Sequence, residues 1–294
     1  GKPMQKRDFM NVRAVIALVA TLALGAGLVA CSSDSSSKEG NGEEKIERVV
    51  ALDWRYEEIL KALDVDPVGI VEIGKSEAPT TLKGQLGQAT SVGQAKQPNL
   101  EVIQSLEPDL ILASPTRQAD ILPQLEEIAQ TESYADETYS DVLDSMDEIA
   151  AKLGKEEKAK EVRQRIEGKI AQTKDAVKPG SRAVVAGWSS EMLYTWVNPS
   201  FPQSLLSEVG YDYAFEGEKS SIESKTDVAE LTGDKLPGMK ADRVFMYKDV
   251  DAFKKTPYAK GSGDIVEVDQ DIWSRARGPL SAEHMLDDMI AAEK

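Results

Sequence analysis

Arginine and tryptophan residues recur close to the ends of the strands that the sequence predicts. Trp54 and Arg55 follow one apolar run, Arg117 follows another, and Arg275 and Arg277 come after Trp273. Guanidinium groups form charge-assisted hydrogen bonds with carboxylates and other oxygen-rich groups, and indole rings pack on carbon skeletons. These residue types predict a site for an anionic or oxygen-rich molecule. The candidate ligand-binding residues are Trp54, Arg55, Arg117, Trp188, Tyr247, Trp273 and Arg275.

Each of these residues also has an ordinary structural explanation. A tryptophan can pack in the core, and an arginine can pair with the abundant carboxylates, since the chain has 51 Asp and Glu against 35 Lys and Arg. The set taken together favours a concave site lined by aromatic side chains. The formal charge of −16 argues against nucleic acid as a partner.

Catalytic and metal-binding patterns are missing from the sequence. The one histidine, His284, belongs to a predicted terminal helix, where a solvated or capping position is expected. The one cysteine, Cys31, excludes an intramolecular disulfide and a thiolate cluster. Phosphate-binding glycine motifs and the nucleophile elbow do not occur. We therefore expect a protein that is not an enzyme and that holds no cofactor or metal through its own side chains; a hydrolase remains the alternative from another class.

Strands and helices alternate along the chain after residue 46. This order is typical of βαβ units and a mostly parallel sheet, which predicts the α/β fold class. Ligands of open α/β sheets bind beyond the carboxyl ends of the strands, where the candidate residues fall. The predicted strands comprise residues 48–52, 67–71, 110–113, 183–187, 243–247 and 265–268.

The second half of the chain repeats the pattern of the first. Residues 99–109 and 232–242 share an acid, two spaced apolar residues and a closing Asp, always 133 positions apart. This repeat predicts a duplicated lobe. The predicted domains are an N-terminal lobe (47–154), a bridging helix (155–179) and a C-terminal lobe (180–294). The alternative for the helix is an ordinary surface helix packed on one lobe.

The first thirty residues have the composition of a secretory signal peptide. Basic residues precede an uncharged run from Ala14 to Ala30, which is short for a membrane-spanning helix. The sequence Leu28-Val29-Ala30-Cys31 resembles a bacterial lipobox, with cleavage before Cys31 and lipid on its sulfur. The Ser- and Gly-rich residues 31–46 predict a flexible tether.

Four stretches together resemble the substrate-binding lipoproteins of iron–siderophore ABC importers. This family includes the ferric hydroxamate and dicitrate binding proteins and is related to cobalamin and haem binders. The stretches are residues 48–54, residues 92–93 with 97–101, residues 106–111, and Trp273 with residues 277–283.

The resemblance implies two Rossmann-like lobes joined by a single long α-helix, with the ligand in a shallow cleft between the lobes. The implied function is capture of a ferric siderophore, of hydroxamate or carboxylate type, by a monomer that is lipid-anchored on the outer face of the bacterial cytoplasmic membrane. Delivery to an ABC permease would use Glu101 and Asp234, although both acids could simply favour helix N-termini. Haem or cobalamin is the alternative ligand, with Tyr194 or Tyr247 as the available axial ligand for haem.

Overall fold

A computed structural model describes residues 45–217 and 227–294. The predicted signal peptide (1–30), the predicted lipidation site Cys31 and most of the predicted tether (31–46) lie outside the described residues. Within the described residues, no helix combines the length and the apolar composition needed to cross a membrane.

The first half of the chain forms a mostly parallel sheet. Its strands are β1 (Val49–Ala51), β2 (Gly69–Glu72), β3 (Thr90–Gln94), β4 (Gln97–Pro98), β5 (Leu110–Ala113) and β6 (Thr131–Ser133). They are ordered β4-β3-β2-β1-β5-β6, and only β4 runs antiparallel to its neighbour. The central strands β1 and β5 are buried along their whole length, as expected for a parallel sheet covered on both faces.

The second half forms another sheet of mixed direction. Its strands are β7 (Arg182–Ser189), β8 (Met192–Trp196), β9 (Asp212–Tyr213), β10 (Val228–Leu231), β11 (Arg243–Met246) and β12 (Asp264–Glu267). The order is β10-β8-β7-β11-β12, with β9 paired to the start of β7. Strands β7 and β8 form an antiparallel hairpin. The two sheets and their intervening helices confirm the α/β class.

Helices connect the strands of both sheets. They are α1 (Trp54–Ala62), α2 (Leu100–Ser105), α3 (Leu122–Ile128), α4 (Tyr139–Leu153), α5 (Glu156–Ala176), α6 (Phe201–Glu208), α7 (Lys235–Gly238), α8 (Val250–Lys254) and α9 (Pro279–Ala292). Short 3-10 helices occur at Thr80–Leu82 and Ala119–Ile121, and a π-helix occurs at Asp271–Ala276.

The 21-residue helix α5 follows the first sheet in the chain and precedes the second. Gly154 ends the preceding helix in the left-handed conformation, which glycine adopts easily. One apolar face of α5 is buried, with Val162, Ile166 and Ile170 at intervals of four residues. This face packs against α4 and α9. Helix α5 is therefore supported by two other helices along its length.

The repeated sequence pattern produces the same hydrogen bond in both halves. Asp109 accepts from the backbone N–H of Arg48 at 2.8 Å, and Asp242 accepts from that of Arg182 at 2.8 Å. The Nε atom of Arg48 also donates to the carbonyl of Leu106, and the side chain of Arg182 donates to an equivalent carbonyl. Asp109 thus joins the start of β5 to the start of β1, and Asp242 joins the start of β11 to the start of β7. This shared contact explains why the repeat ends in Asp.

Candidate ligand-binding site

Three arginines from separate parts of the chain converge on the carboxylate of Asp53. Arg55 lies in the first turn of α1, Arg117 in the loop after β5, and Arg277 in the turn between the π-helix and α9. Burial alone would raise the pKa of Asp53, but the charges of Arg117, Arg55 and Arg277 hold it below the usual value. The fold therefore places three cations around one buried anion.

The two arginines that come from the first sheet are each paired with an aspartate. Arg117 Nη1 donates to Asp53 Oδ2 at 3.1 Å, and Arg55 Nη1 donates to Asp136 Oδ2. Arg55 is fully buried, and its Nη2 atom also donates to the hydroxyl of Tyr56 at 3.1 Å. Because an unpaired buried charge is very costly, these partners hold both guanidinium groups in fixed positions.

Arg277 is held more loosely than the other two arginines. Its Nη1 atom lies 4.0 Å from Asp227 Oδ2, and its Cζ atom lies 5.9 Å from the ring centroid of Trp196, within cation–π range. Burial lowers the pKa of Arg277. Within the part of the chain that the structure describes, no protein atom accepts a hydrogen bond from its Nε atom. A buried guanidinium with an unused donor is suited to binding a ligand oxygen.

Gln118 fixes the loop that carries Arg117. Its Nε2 atom donates to the carbonyls of Leu52 at 2.9 Å and Ala95 at 2.6 Å, while its Oε1 atom accepts from the N–H of Ser114 at 2.5 Å. The hydroxyl of Ser114 then accepts from the N–H of Arg117 at 3.1 Å. The loop after β5 is thereby tied to the ends of two other strands of the sheet.

Tyr247 follows β11 and lies on the side of the site formed by the second sheet. Burial raises its pKa to about 12, an effect opposed by the nearby side chains of Ser274 and Trp196. Its ring packs so closely on Gly187 that a Cβ atom there would lie 2.6 Å from Tyr247 Cε2. The phenol is therefore a neutral, well-packed group beside Trp196.

Trp54 and Trp188, both predicted to contact a ligand, belong to the core instead. Trp54 is fully buried, and its Nε1 atom donates to the carbonyl of Val71 at 3.0 Å. Trp188 lies within β7 and not beyond it, and its ring packs edge-on against Phe253 with the ring centroids 5.3 Å apart. Trp54 packs from the start of α1 onto the first sheet, and Trp188 packs against Phe253 of α8.

Trp273 and Arg275 have partners other than Asp53. Trp273 is fully buried, stacks on Phe245 at 4.6 Å between centroids, and donates through Nε1 to Asp288 at 2.7 Å. Arg275 pairs with Asp271 at 3.2 Å. From the predicted set, the structure thus brings Arg55 and Arg117 together near Asp53, and the third arginine there is Arg277.

Sequence reasoning missed several members of this site. Asp53 lies at a predicted strand end, but an acidic residue does not by its type predict a site for an anionic ligand. Asp136 follows β6, a three-residue polar strand without an apolar signal. Trp196 ends β8, which is antiparallel to β7. The rule that ligands bind beyond the carboxyl ends of parallel strands therefore does not point to it.

The two acids predicted to dock a permease occupy comparable places in the two halves. Glu101 is exposed in the first turn of α2, whose N-cap is Asn99. Asp234 is exposed at the N-cap of α7, and a hydrogen bond from Thr232 lowers its pKa. Both carboxylates are exposed, and both lie at a helix N-terminus, where the helix dipole favours an anion.

In residues 45–217 and 227–294, no group of three or more His, Cys, Asp or Glu side chains is arranged to hold a metal ion. His284 is exposed on α9, as its position in the terminal helix predicts.

Comparison with known proteins agrees with this fold. A family model described as periplasmic binding protein matches residues 49–261. The Fe(3+)-citrate-binding protein YfmC of Bacillus subtilis is 28% identical, over 94% of this chain and 96% of its own. The Fe(3+) dicitrate-binding periplasmic protein FecB of Escherichia coli is 23% identical, over 84% of this chain and 85% of its own. Among solved structures, Staphylococcus aureus SirA complexed with staphyloferrin B aligns with a TM-score of 0.71 at 25% identity, covering 84% of this chain and 92% of SirA. The chain belongs to the periplasmic binding protein family.

Proposed function

We propose that this protein captures a ferric siderophore outside the cell and delivers it to an ABC permease for iron uptake. The convergence of Arg55, Arg117 and Arg277 beside Trp196 is the observation that carries the proposal. Relatives named for binding ferric citrate and a solved structure that holds a siderophore support the same role. The chain acts as a binding protein and not as an enzyme.

The preferred ligand is a ferric complex with free or iron-bound carboxylates. A planar guanidinium matches a carboxylate through two parallel hydrogen bonds, and three such groups close to one another favour an anionic complex over a neutral hydroxamate. The chelator keeps the iron, while Arg277 and Arg117 donate to its outer oxygens and Trp196 packs on its carbon skeleton. Asp53 and Asp136 balance part of the positive charge while no ligand is bound.

Haem, the alternative ligand, is not favoured. An axial tyrosine would have to reach the iron as a phenolate, but burial raises the pKa of Tyr247 to about 12. The Tyr194 hydroxyl donates to Glu230 at 3.4 Å, so it already has a partner within the protein.

Lipidation of Cys31 would keep the protein beside its permease. Relatives described as lipoproteins of such systems support this location. The exposed Glu101 and Asp234 are proposed to pair with basic residues of the permease.

Fluorescence titration tests the binding function directly. Adding ferric citrate to the protein should quench tryptophan emission in a saturable manner. Trp196 lies at the proposed site, and ferric complexes absorb light at the wavelengths of tryptophan emission. Metal-free citrate and a Trp196→Phe variant serve as controls, and each should show much weaker quenching. A panel that also contains a ferric trihydroxamate and a ferric catecholate identifies the ligand class. No saturable quenching with any of these complexes would contradict the proposal.

A further inference from the structure

The carboxyl group of Glu58, which the proposed binding function does not use, reaches from α1 to the start of α9. Its Oε1 atom accepts from the backbone N–H of Ser281 at 2.7 Å. Its Oε2 atom accepts from the hydroxyls of Ser281 and Thr81, both at 2.7 Å. Glu58 is fully buried, so these contacts are shielded from water.

Glu58 supplies the N-terminal cap that α9 lacks in its own sequence. The N-cap residue is Gly278, which has no side chain to accept a hydrogen bond, and Pro279 follows it. The first N–H groups of a helix need acceptors, which the carboxyl oxygens of Glu58 provide. The N–H of Ser281 at the third helical position is satisfied by a residue more than two hundred positions earlier in the chain.

The turn that carries Arg277 is pressed directly on this carboxyl group. Arg277 adopts the left-handed conformation with φ of 52°. A Cβ atom at Gly278 would lie 2.5 Å from Glu58 Oε1 and 2.7 Å from Glu58 Cβ. Only glycine leaves room for the carboxyl group here, so the backbone next to Arg277 cannot shift without disturbing Glu58.

The other end of the same segment is tied to the 3-10 helix that also provides Thr81. Thr80 donates through its hydroxyl to Asp269 and Asp271 at 3.0–3.2 Å, and its backbone N–H donates to Asp271 at 3.2 Å. The segment from 269 to 281 is therefore clamped at both ends, with Arg277 between the clamps.

We propose that Glu58 is a positioning residue for ligand binding, which caps α9 and thereby holds the Arg277 guanidinium over Trp196 and next to Arg55. Arg55 and Glu58 lie one turn apart on α1. One rigid helix thus sets the position of Arg55 directly and that of Arg277 through the cap. The importance of this geometry for the ligand rests on the proposed function, whereas the positioning itself does not.

A measurement without ligand tests the positioning. The indole N–H resonance of Trp196, assigned with Trp196→Phe, reports the guanidinium that lies over its ring. Glu58→Ala and Glu58→Asp should both shift this resonance, since neither side chain reaches Ser281 in the same way. Glu58→Gln should leave it close to its original position, because an amide oxygen still accepts from the N–H and the two hydroxyls can rotate.

Asn99→Ala is the matched control. It removes the cap of α2, which accepts from the N–H groups of Glu101 at 3.0 Å and Val102 at 3.2 Å, at a helix end that does not carry a converging arginine. Its effect on stability should resemble a lost cap, but the Trp196 resonance should not move. An unmoved resonance in folded Glu58→Ala or Glu58→Asp would overturn the proposal.

A double-mutant cycle with ferric citrate as the probe tests the consequence for binding. Glu58→Ala should weaken affinity on the order of tenfold, comparable to the loss of a charged hydrogen bond. In an Arg277→Ala background the same change should have little further effect, because the group that it positions is absent. Equal losses in both backgrounds would show that Glu58 acts elsewhere. If the unaltered protein does not bind any ferric complex, the proposed function fails while the resonance measurement still decides the positioning role.

Discussion

Arg275 and Arg277 are two positions apart and have different environments. Arg275 pairs with Asp271 one turn earlier in the π-helix, at a site about one-third exposed. Arg277 is turned inward, with 11% of its side chain exposed, and approaches Trp196. A surface ion pair contributes little, whereas an under-bonded buried guanidinium can contribute much. Of these two arginines, therefore, Arg277 is the one expected to affect binding.

Replacing Arg277 by Ala should weaken the binding of ferric citrate by about 1–3 kcal/mol, the usual loss for a hydrogen bond to a charged group. Isothermal titration calorimetry gives the affinity, and thermal unfolding checks that the variant is folded. Arg275→Ala is the matched control and should change affinity by less than about 0.5 kcal/mol. Similar losses of affinity in the two variants would contradict the prediction that Arg277, and not Arg275, contacts the ligand.

Helix α1 is unusual because it buries charged side chains on several of its faces. Asp53 caps its first turn, while Arg55, Glu57 and Glu58 are all fully buried within it. Burial raises the pKa of Glu58 to about 7, although hydrogen bonds from Ser281 and Thr81 oppose this rise. Burial likewise raises the pKa of Glu57 well above its usual value. The helix is therefore a source of pH-dependent stability.

Glu58 should make the folded state less stable as the pH rises from about 4.5 to 7. Its pKa is near 4.3 in an unfolded chain and about 7 in the folded one, so the folded state binds the proton more tightly. Its contribution is fully present below pH 4.5 and is lost as pH passes 7. Relative to Glu58→Gln, the unaltered protein should therefore lose roughly 3 kcal/mol of unfolding free energy across this range.

Urea unfolding of both proteins at pH 4.5 and pH 8 measures this difference. Glu57 and the other carboxyl groups are common to the two chains, so their titration largely cancels in the comparison. Parallel pH profiles for the two proteins would show that the pKa of Glu58 is not raised.

The molecule as a whole is strongly acidic, and two of its exposed acids stand out by their positions in the repeated halves. Glu101 and Asp234 begin helices that occupy corresponding positions in the two repeated halves, before β5 and β11. A symmetric pair of exposed carboxylates suits a permease with a related pair of basic sites. Neither residue is among those that converge on Asp53.

Changing both Glu101 and Asp234 to Ala should abolish iron uptake in cells while leaving the affinity for ferric citrate unchanged. Uptake of radioactive iron and calorimetry measure the two effects separately. Glu126 and Asp251, also exposed acids on helices of the two halves, provide a control of equal charge. A loss of affinity in the first variant, or equal loss of uptake in the control, would contradict a docking role.

Much of the fold follows from local patterns in the chain. The buried runs of β1 and β5, the apolar face of α5 and the repeated Asp109 and Asp242 are recognisable because each depends on neighbours a few residues away. Arg55 and Arg117 could be proposed for the same reason, since strand ends are local features and parallel strands bring them to one edge.

Only the tertiary structure determines which way these side chains point and which residues they contact. The π-helix changes the phase of the residues that follow it, so spacing alone did not distinguish Arg277 from Arg275. Trp54 and Trp273 point into the core because sheet and helix packing leaves space for them there. The contact of Glu58 with Ser281 joins distant parts of the chain. Such contacts depend on which elements become neighbours, and local periodicity contains no information about that choice.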